Sequence, residues 1–221
     1  MVRKLIFFLI VLFSVIAKPS SILLPMEAEG QQNHLKAYGI TYWALAKSYK
    51  VNWLLNYRGG SFLLPEADEI RKECQIRGVT FELLSDNATN IILDEISAPS
   101  QNMETVVLEK APKIAVYTPK GKQPWDDAVT MVLTYAEIPY TEIYDEEVLS
   151  DQLLLYDWLH LHHEDFTGQY GKFFGAYRNA PWYIEQKKEA ELLAQKLGYA
   201  KVSDEKRAVA LKIRDYEIGR A

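Results

Sequence analysis

Val51-Asn-Trp-Leu-Leu-Asn-Tyr57, Arg58-Gly-Gly-Ser61, then Phe62-Leu-Leu64 and Pro65 form the stretch on which the fold turns. Two apolar runs flank a Gly-Gly pair, which is the pattern of a β-hairpin whose turn the glycines supply. The same residues also read as a strand and a glycine loop leading into a Pro-started helix, one half of a repeated α/β plan. Downstream, Pro65 to Gly78 has Glu66, Asp68 and Glu69 in its first turns, Arg77 near its end and Gly78 after it, as helix dipole and C-cap preferences require. Val79 to Leu84 is an expected strand. Ser85 then caps a helix carrying Ala88, Ile91, Ile92 and Ile96 on one face, and Met103 to Leu108 is a further strand. Upstream, Glu27 to Ser48 is an expected helix with the stripe Leu35, Tyr38, Tyr42 and Leu45. Lys18 to Met26 reads as a Pro- and Ser-containing lead.

At Lys113 the pattern restarts. Ile114 to Tyr117 is a short buried strand, followed by the loop Thr118-Pro-Lys-Gly-Lys-Gln-Pro124 and a helix with Val129, Val132, Leu133 and Ala136 on one side. Lys120-Gly-Lys122 lies where phosphates bind after a strand but lacks the P-loop pattern. Pro139 ends the helix, and Thr141 to Tyr144 is the next strand. This order echoes the order around Val51, so strands alternate with helices along most of the chain. Such alternation predicts an α/β fold with a mostly parallel sheet covered on both faces. Pro181 starts a helix with Ala190, Leu193, Ala194 and Leu197 on one stripe. Ser203 caps a last helix with Val209, Ile213 and Tyr216, and with no strand after it the sheet reads as incomplete at its C-terminus.

The 221 residues, 48% of them hydrophobic, suffice for a sizeable core. A net charge of −5 with no basic face speaks against a nucleic-acid partner. Arg3 and Lys4 precede the apolar run Leu5 to Ile16, and Val15-Ile16-Ala17 ends it as a signal peptidase site does. The expected organisation is a signal peptide over residues 1–17, an N-terminal α/β region over 18–110 and a second α/β region over 111–221. The protein is then exported to the periplasm or cell envelope, touching the membrane only through this segment if it stays uncleaved. Cys74 is the single cysteine, so no internal disulfide forms. Its place in a helical stripe with Ala67 and Ile70 reads as a small buried residue.

Chemistry concentrates in Asp157-Trp-Leu-His-Leu-His-His-Glu-Asp-Phe-Thr-Gly168. As a strand, it turns Leu159 and Leu161 to one face and His160, His162 and Glu164 to the other. Two imidazoles and a carboxylate on one face suit a divalent metal such as zinc. Asp157, His163 and Asp165, with Arg58 from the glycine turn, are the candidate small-ligand contacts. The same residues would also serve proton transfer, or form a hydrogen-bonded polar cluster without a ligand. Arg58-Gly-Gly-Ser61 reads either as an anion-binding nest or as a plain turn. After Asp165 comes a loop rich in aromatics and glycine, either a stacking surface for sugars or a cover packed on the sheet.

Asn52-Trp-Leu-Leu-Asn-Tyr-Arg-Gly-Gly-Ser61, Ile114-Ala-Val-Tyr-Thr118 and the histidine stretch together resemble a family of exported bacterial proteins often labelled asparagine synthetase B. Its domain is similar to the class I glutamine amidotransferase-like fold. The resemblance implies a flavodoxin-like sheet and, by the label, amide-nitrogen transfer or hydrolysis. The residues depart from that label. Position 2 is Val2 and not the cysteine that would release ammonia from glutamine, and Arg58-Gly-Gly-Ser-Phe62 is not the S-G-G-x-D-S loop that holds pyrophosphate. Cys74 lies mid-helix and not on a strand-to-helix elbow, so no catalytic residue carries over. Two readings follow: an exported protein binding a small ligand or metal at His160–Asp165, with hydrolysis as its reaction, or a non-catalytic envelope binding or structural protein.

Overall fold

The computed structural model describes residues 19–118, 128–161 and 175–219. The expected signal segment, Lys120–Lys122 and most of the aromatic loop lie outside them. Among the described residues no helix is long and apolar enough to cross a membrane. The chain divides between Glu109 and Lys110 into two compact units, each with its own sheet.

The N-terminal unit runs β1 (Ser21–Leu24), α1 (His34–Ala46), β2 (Val51–Leu55), β3 (Phe62–Pro65), α2 (Asp68–Ile76), β4 (Glu82–Leu84), α3 (Asp86–Ser97) and β5 (Glu104–Leu108). Its five strands lie in the order β4-β1-β3-β2-β5, and every neighbouring pair is antiparallel. This corrects the expected mostly parallel sheet, and it also removes the idea of two like halves. The hairpin reading of Gly59-Gly60 is the right one, because β2 and β3 pair directly with Trp53 opposite Phe62. The residues taken for a lead supply the decisive strand. β1 pairs with β3 on one side and β4 on the other, and Ile22, Leu23 and Leu24 are fully buried. A strand inserted between β3 and β4 forces the antiparallel arrangement, and four residues are too few to show a period.

Leu23 and Leu63, paired across the sheet, meet Leu54 and Ile96 of α3 on one face. On the other face Phe62 stacks near Trp53 and takes the edge of Tyr38 from α1. Each fully buried leucine or isoleucine contributes about 1.5–3 kcal/mol. The α1 stripe is met only in part: Leu45 is buried as expected, but the rest of the buried face is shifted. Ala37, Ile40, Thr41 and Ala44 are buried, whereas Leu35 and Tyr38 are 38% and 44% exposed. Small residues let the helix lie close to its neighbours, so the larger side chains splay to its flanks. Pro65 closes β3 and does not open α2; the next amide, Glu66 N–H, makes the following bond to the Ser20 carbonyl at 3.0 Å. α2 buries Ile70 and Cys74 as expected, while Ala67 is only its N-cap.

Burial pushes the Cys74 thiol up to about 12. The thiolate is the reacting species, so folded Cys74 should alkylate roughly a thousandfold more slowly than an ordinary exposed thiol. Labelling by iodoacetamide at neutral pH, followed by mass spectrometry, should appear only as denaturant unfolds the N-terminal unit. Prompt labelling of the native protein would overturn the buried-helix assignment.

The C-terminal unit runs β6 (Ile114–Tyr117), α4 (Ala128–Ala136), β7 (Thr141–Ile143), α5 (Asp145–Leu149), a 3-10 turn (Gln152–Leu155), β8 (Trp158–Leu161), α6 (Pro181–Lys196) and α7 (Val202–Ile218). Its three strands are parallel in the order β7-β6-β8, so here the parallel expectation is met. Ala115, Tyr117 and Ile143 form the core with Val148, Leu153 and the α7 residues Val209, Ile213 and Tyr216. Lys201, not Ser203, holds the N-cap of α7.

Candidate functional site

Three parallel strands end at one edge of the C-terminal sheet. Tyr117 is in register with Ile143 on one side and Leu161 on the other, and the Thr118 amide extends the ladder to the Ile143 carbonyl at 3.0 Å. The four β6 residues are all buried. Alternation along β6 turns Ala115 and Tyr117 toward α7. Thr118, buried at the strand's end, has a hydroxyl with no partner among the described residues.

Where β7 passes into α5, Tyr144 and Asp145 meet Tyr117 and the first turns of α7. Asp145, only 1% exposed, accepts a short hydrogen bond from the Tyr117 hydroxyl. It also accepts from Lys206 Nζ at 2.9 and 3.1 Å. The same ammonium donates to the hydroxyls of Tyr144 at 2.9 Å and Tyr117 at 3.2 Å, and stands 4.4 Å from the centre of the Tyr144 ring. Burial works against the Lys206 charge, but the oxygens of Tyr144 and Asp145 outweigh it, and the ammonium's pKa lies above its ordinary value. Glu205, the neighbouring residue, is also 1% exposed, and its Oε1 has no hydrogen-bond partner among the described residues. Burial first, and then the Asp145 charge, push its carboxyl up to about 7 against the pull of Lys206. Its place in the first turns of a helix favours the anion by about 0.3–1 kcal/mol, too little to reverse a shift worth about 3 kcal/mol.

The histidine segment is reached only in part. His160 is half-buried in β8, opposite Val116, while Leu159 and Leu161 pack on the core around Tyr117 as alternation predicts. His162, His163, Glu164 and Asp165 lie outside the described residues. Among the described residues no group of three metal-ligating side chains comes together. Asp157 stands at the opposite, amino end of β8. Its Oδ2 accepts from the Lys113 backbone amide at 2.8 Å and its Oδ1 from Lys110 Nζ at 3.0 Å, which ties the starts of β6 and β8 together. A four-residue strand is about 13 Å long, so Asp157 is too far from the end at Leu161 to share a ligand there.

Arg58 belongs to the N-terminal unit. Its guanidinium is forked between Glu27, at 2.6–2.9 Å, and Glu82, at 2.7 and 3.0 Å. The amides of Gly60 and Ser61 both donate to the Tyr57 carbonyl at 3.0 Å. The turn consumes its own donors, so the plain-turn reading holds over the anion nest. His34 joins it as a strut, with Nε2 3.1 Å from the Met26 carbonyl.

Sequence reasoning missed Tyr117, Tyr144, Asp145, Glu205 and Lys206. The rule that ligands bind beyond the carboxyl ends of parallel strands would have singled out Asp145, two residues past Ile143. Nothing in the pattern marks Glu205 and Lys206, because acidic residues open many helices. Searches against protein-family models, curated proteins and solved structures find no match to this chain.

Proposed function

We propose that this is an exported α/β protein whose C-terminal unit binds a small polar ligand or a divalent metal beyond the carboxyl end of its parallel sheet. One observation carries the reading. β7 lies on one side of β6 and β8 on the other, and in parallel sheets the place where the strand order reverses, here the carboxyl ends of β6 and β8, is where ligands bind. This strand order is compatible with the flavodoxin-like sheet that the resemblance to amidotransferase-like proteins implies. The chain runs from Leu161 at that end directly into His162, His163, Glu164 and Asp165. His160, His162 and Glu164 are the residues proposed to hold zinc, with His163 and Asp165 beside them for the ligand. Zinc there would polarise a carbonyl or lower the pKa of water, the chemistry that hydrolysis of an amide requires.

A second reading, a non-catalytic envelope protein, draws on the closure of the cluster next to this edge. Asp145, Lys206 and both tyrosines satisfy one another, which is how buried polar groups behave when their work is to hold a fold. Thermal melts separate the two. Zinc should raise the melting temperature of the parent protein but not of His160→Ala or His162→Ala, each of which should cost little stability. Leu159→Ala and Leu161→Ala should instead cost about 2 kcal/mol or more and keep the zinc response. A parent melting temperature that ignores zinc, with histidine variants as unstable as the leucine ones, would leave the envelope reading standing.

A further inference from the structure

We propose that Glu205 is a proton-operated latch that seats the first turns of α7 when protonated and loosens them when ionised. The geometry poses the problem that a proton solves. Two carboxylates, Asp145 and Glu205, are buried side by side, and the described cation beside them is Lys206. That ammonium is already spent on Asp145, Tyr144 and Tyr117. Among the described residues one Glu205 oxygen is sealed from solvent without a partner, and the Asp145 charge bears on the same carboxyl. A neutral Glu205 leaves one anion facing one cation. An ionised Glu205 leaves two anions on one cation, with a buried oxygen that nothing solvates.

The groups that set the balance come from three elements. Tyr117 reaches in from β6, Tyr144 and Asp145 from the start of α5, and Lys206 from α7 itself. From α6, Lys196 turns to Glu146 at 3.1 Å. The hinge between held and loosened states is the turn that begins at Lys201, whose carbonyl accepts from the Glu205 amide at 3.3 Å. Val209, Ile213 and Tyr216, further along, keep the helix on the core. The latch therefore acts on one end of α7, the end lying against the carboxyl edge of the sheet, and it does not depend on any ligand binding there.

The sign follows from linkage. The carboxyl's pKa is raised in the folded protein to about 7 from the ordinary 4.5, so the folded state holds the proton more tightly. The stabilisation is complete below about pH 4.5 and is lost as pH rises through 7. Opening that frees Glu205 should then be favoured between tenfold and a hundredfold more at pH 8 than at pH 5, on the order of the shift in its proton affinity. Hydrogen exchange of the α7 amides in the full chain, corrected for intrinsic rates, reads this directly. The parent should show the increase at residues 202–208, and Glu205→Gln, which keeps the shape and a donor toward Asp145, should abolish it. Infrared difference spectra of the parent should show a protonated carboxylic acid at pH 6 that disappears by pH 8. Parallel pH profiles for parent and variant, or the absence of that carboxylic acid band at pH 6, would overturn the latch.

Discussion

Replacing Asp145 by alanine should destabilise the C-terminal unit by about 3–5 kcal/mol. The carboxylate is buried and is the anion that Lys206 Nζ meets at 2.9 Å, with the Tyr117 hydroxyl bound to it as well. Its removal leaves a fully buried phenol and a half-buried ammonium without their anion. The loss exceeds the net worth of the ion pair, because the desolvation cost of the survivor is left uncompensated. Against a typical domain stability of about 5–15 kcal/mol, this is enough to move the unit toward its unfolding threshold. Asp145→Asn, which keeps an acceptor for Tyr117 but not the charge, should fall between parent and alanine. Urea denaturation followed by circular dichroism measures all three. A cost below about 1 kcal/mol for alanine would mean that Lys206 finds Glu205 instead, and that the two acids are interchangeable partners.

Gly59→Ala should be the most damaging single methyl in the N-terminal unit, at about 3 kcal/mol or more. The residue has φ +78°, and a Cβ there would lie 2.5 Å from both the carbonyl carbon and oxygen of Met26. The left-handed backbone alone costs a non-glycine residue about 1–2 kcal/mol. The rest comes from backbone that cannot step aside, because the Met26 amide is bound to the Arg58 carbonyl at 3.1 Å and Glu27 is clasped by Arg58. Gly60 is the internal control. Its φ is +86°, yet its added Cβ would only touch the Trp53 ring nitrogen at 3.4 Å. Gly60→Ala should therefore show the conformational penalty alone. Equal costs for the two variants in denaturant titrations would show that the Met26 contact yields.

What was legible in the sequence was local. The Gly-Gly turn, the Ser85 cap, the buried Cys74 and the alternation of Leu159 with His160 are set by residues within a few positions of one another. What was not legible is pairing over long separations. Ile22-Leu-Leu24 has no period of its own and becomes a central strand only because Phe62–Pro65 and Glu82–Leu84 flank it in space. Taking it for a lead turned an antiparallel sheet into a parallel one. The partners of Arg58 were hidden for the same reason: Glu27 and Glu82, which clasp it, are far away in sequence. The cluster around Asp145 joins β6, α5 and α7 across some sixty residues, as the Asp145–Lys206 pair shows, and no motif spans such a gap.

The placement of β1 also fixes an order of events in the making of the protein. β1 occupies the interior of its sheet, and both of its edges stay bare until Phe62–Pro65 and then Glu82–Leu84 have been synthesised. β2, next in the chain, waits for Glu104–Leu108 before its outer edge is covered. Apart from the hairpin, the pairings close long loops, which delays them relative to helix formation. The N-terminal unit therefore cannot lock while it is only partly made. Were the chain threaded N-terminus first through a narrow channel, as the proposed export requires, β1 would stay extended until almost the whole unit had passed through.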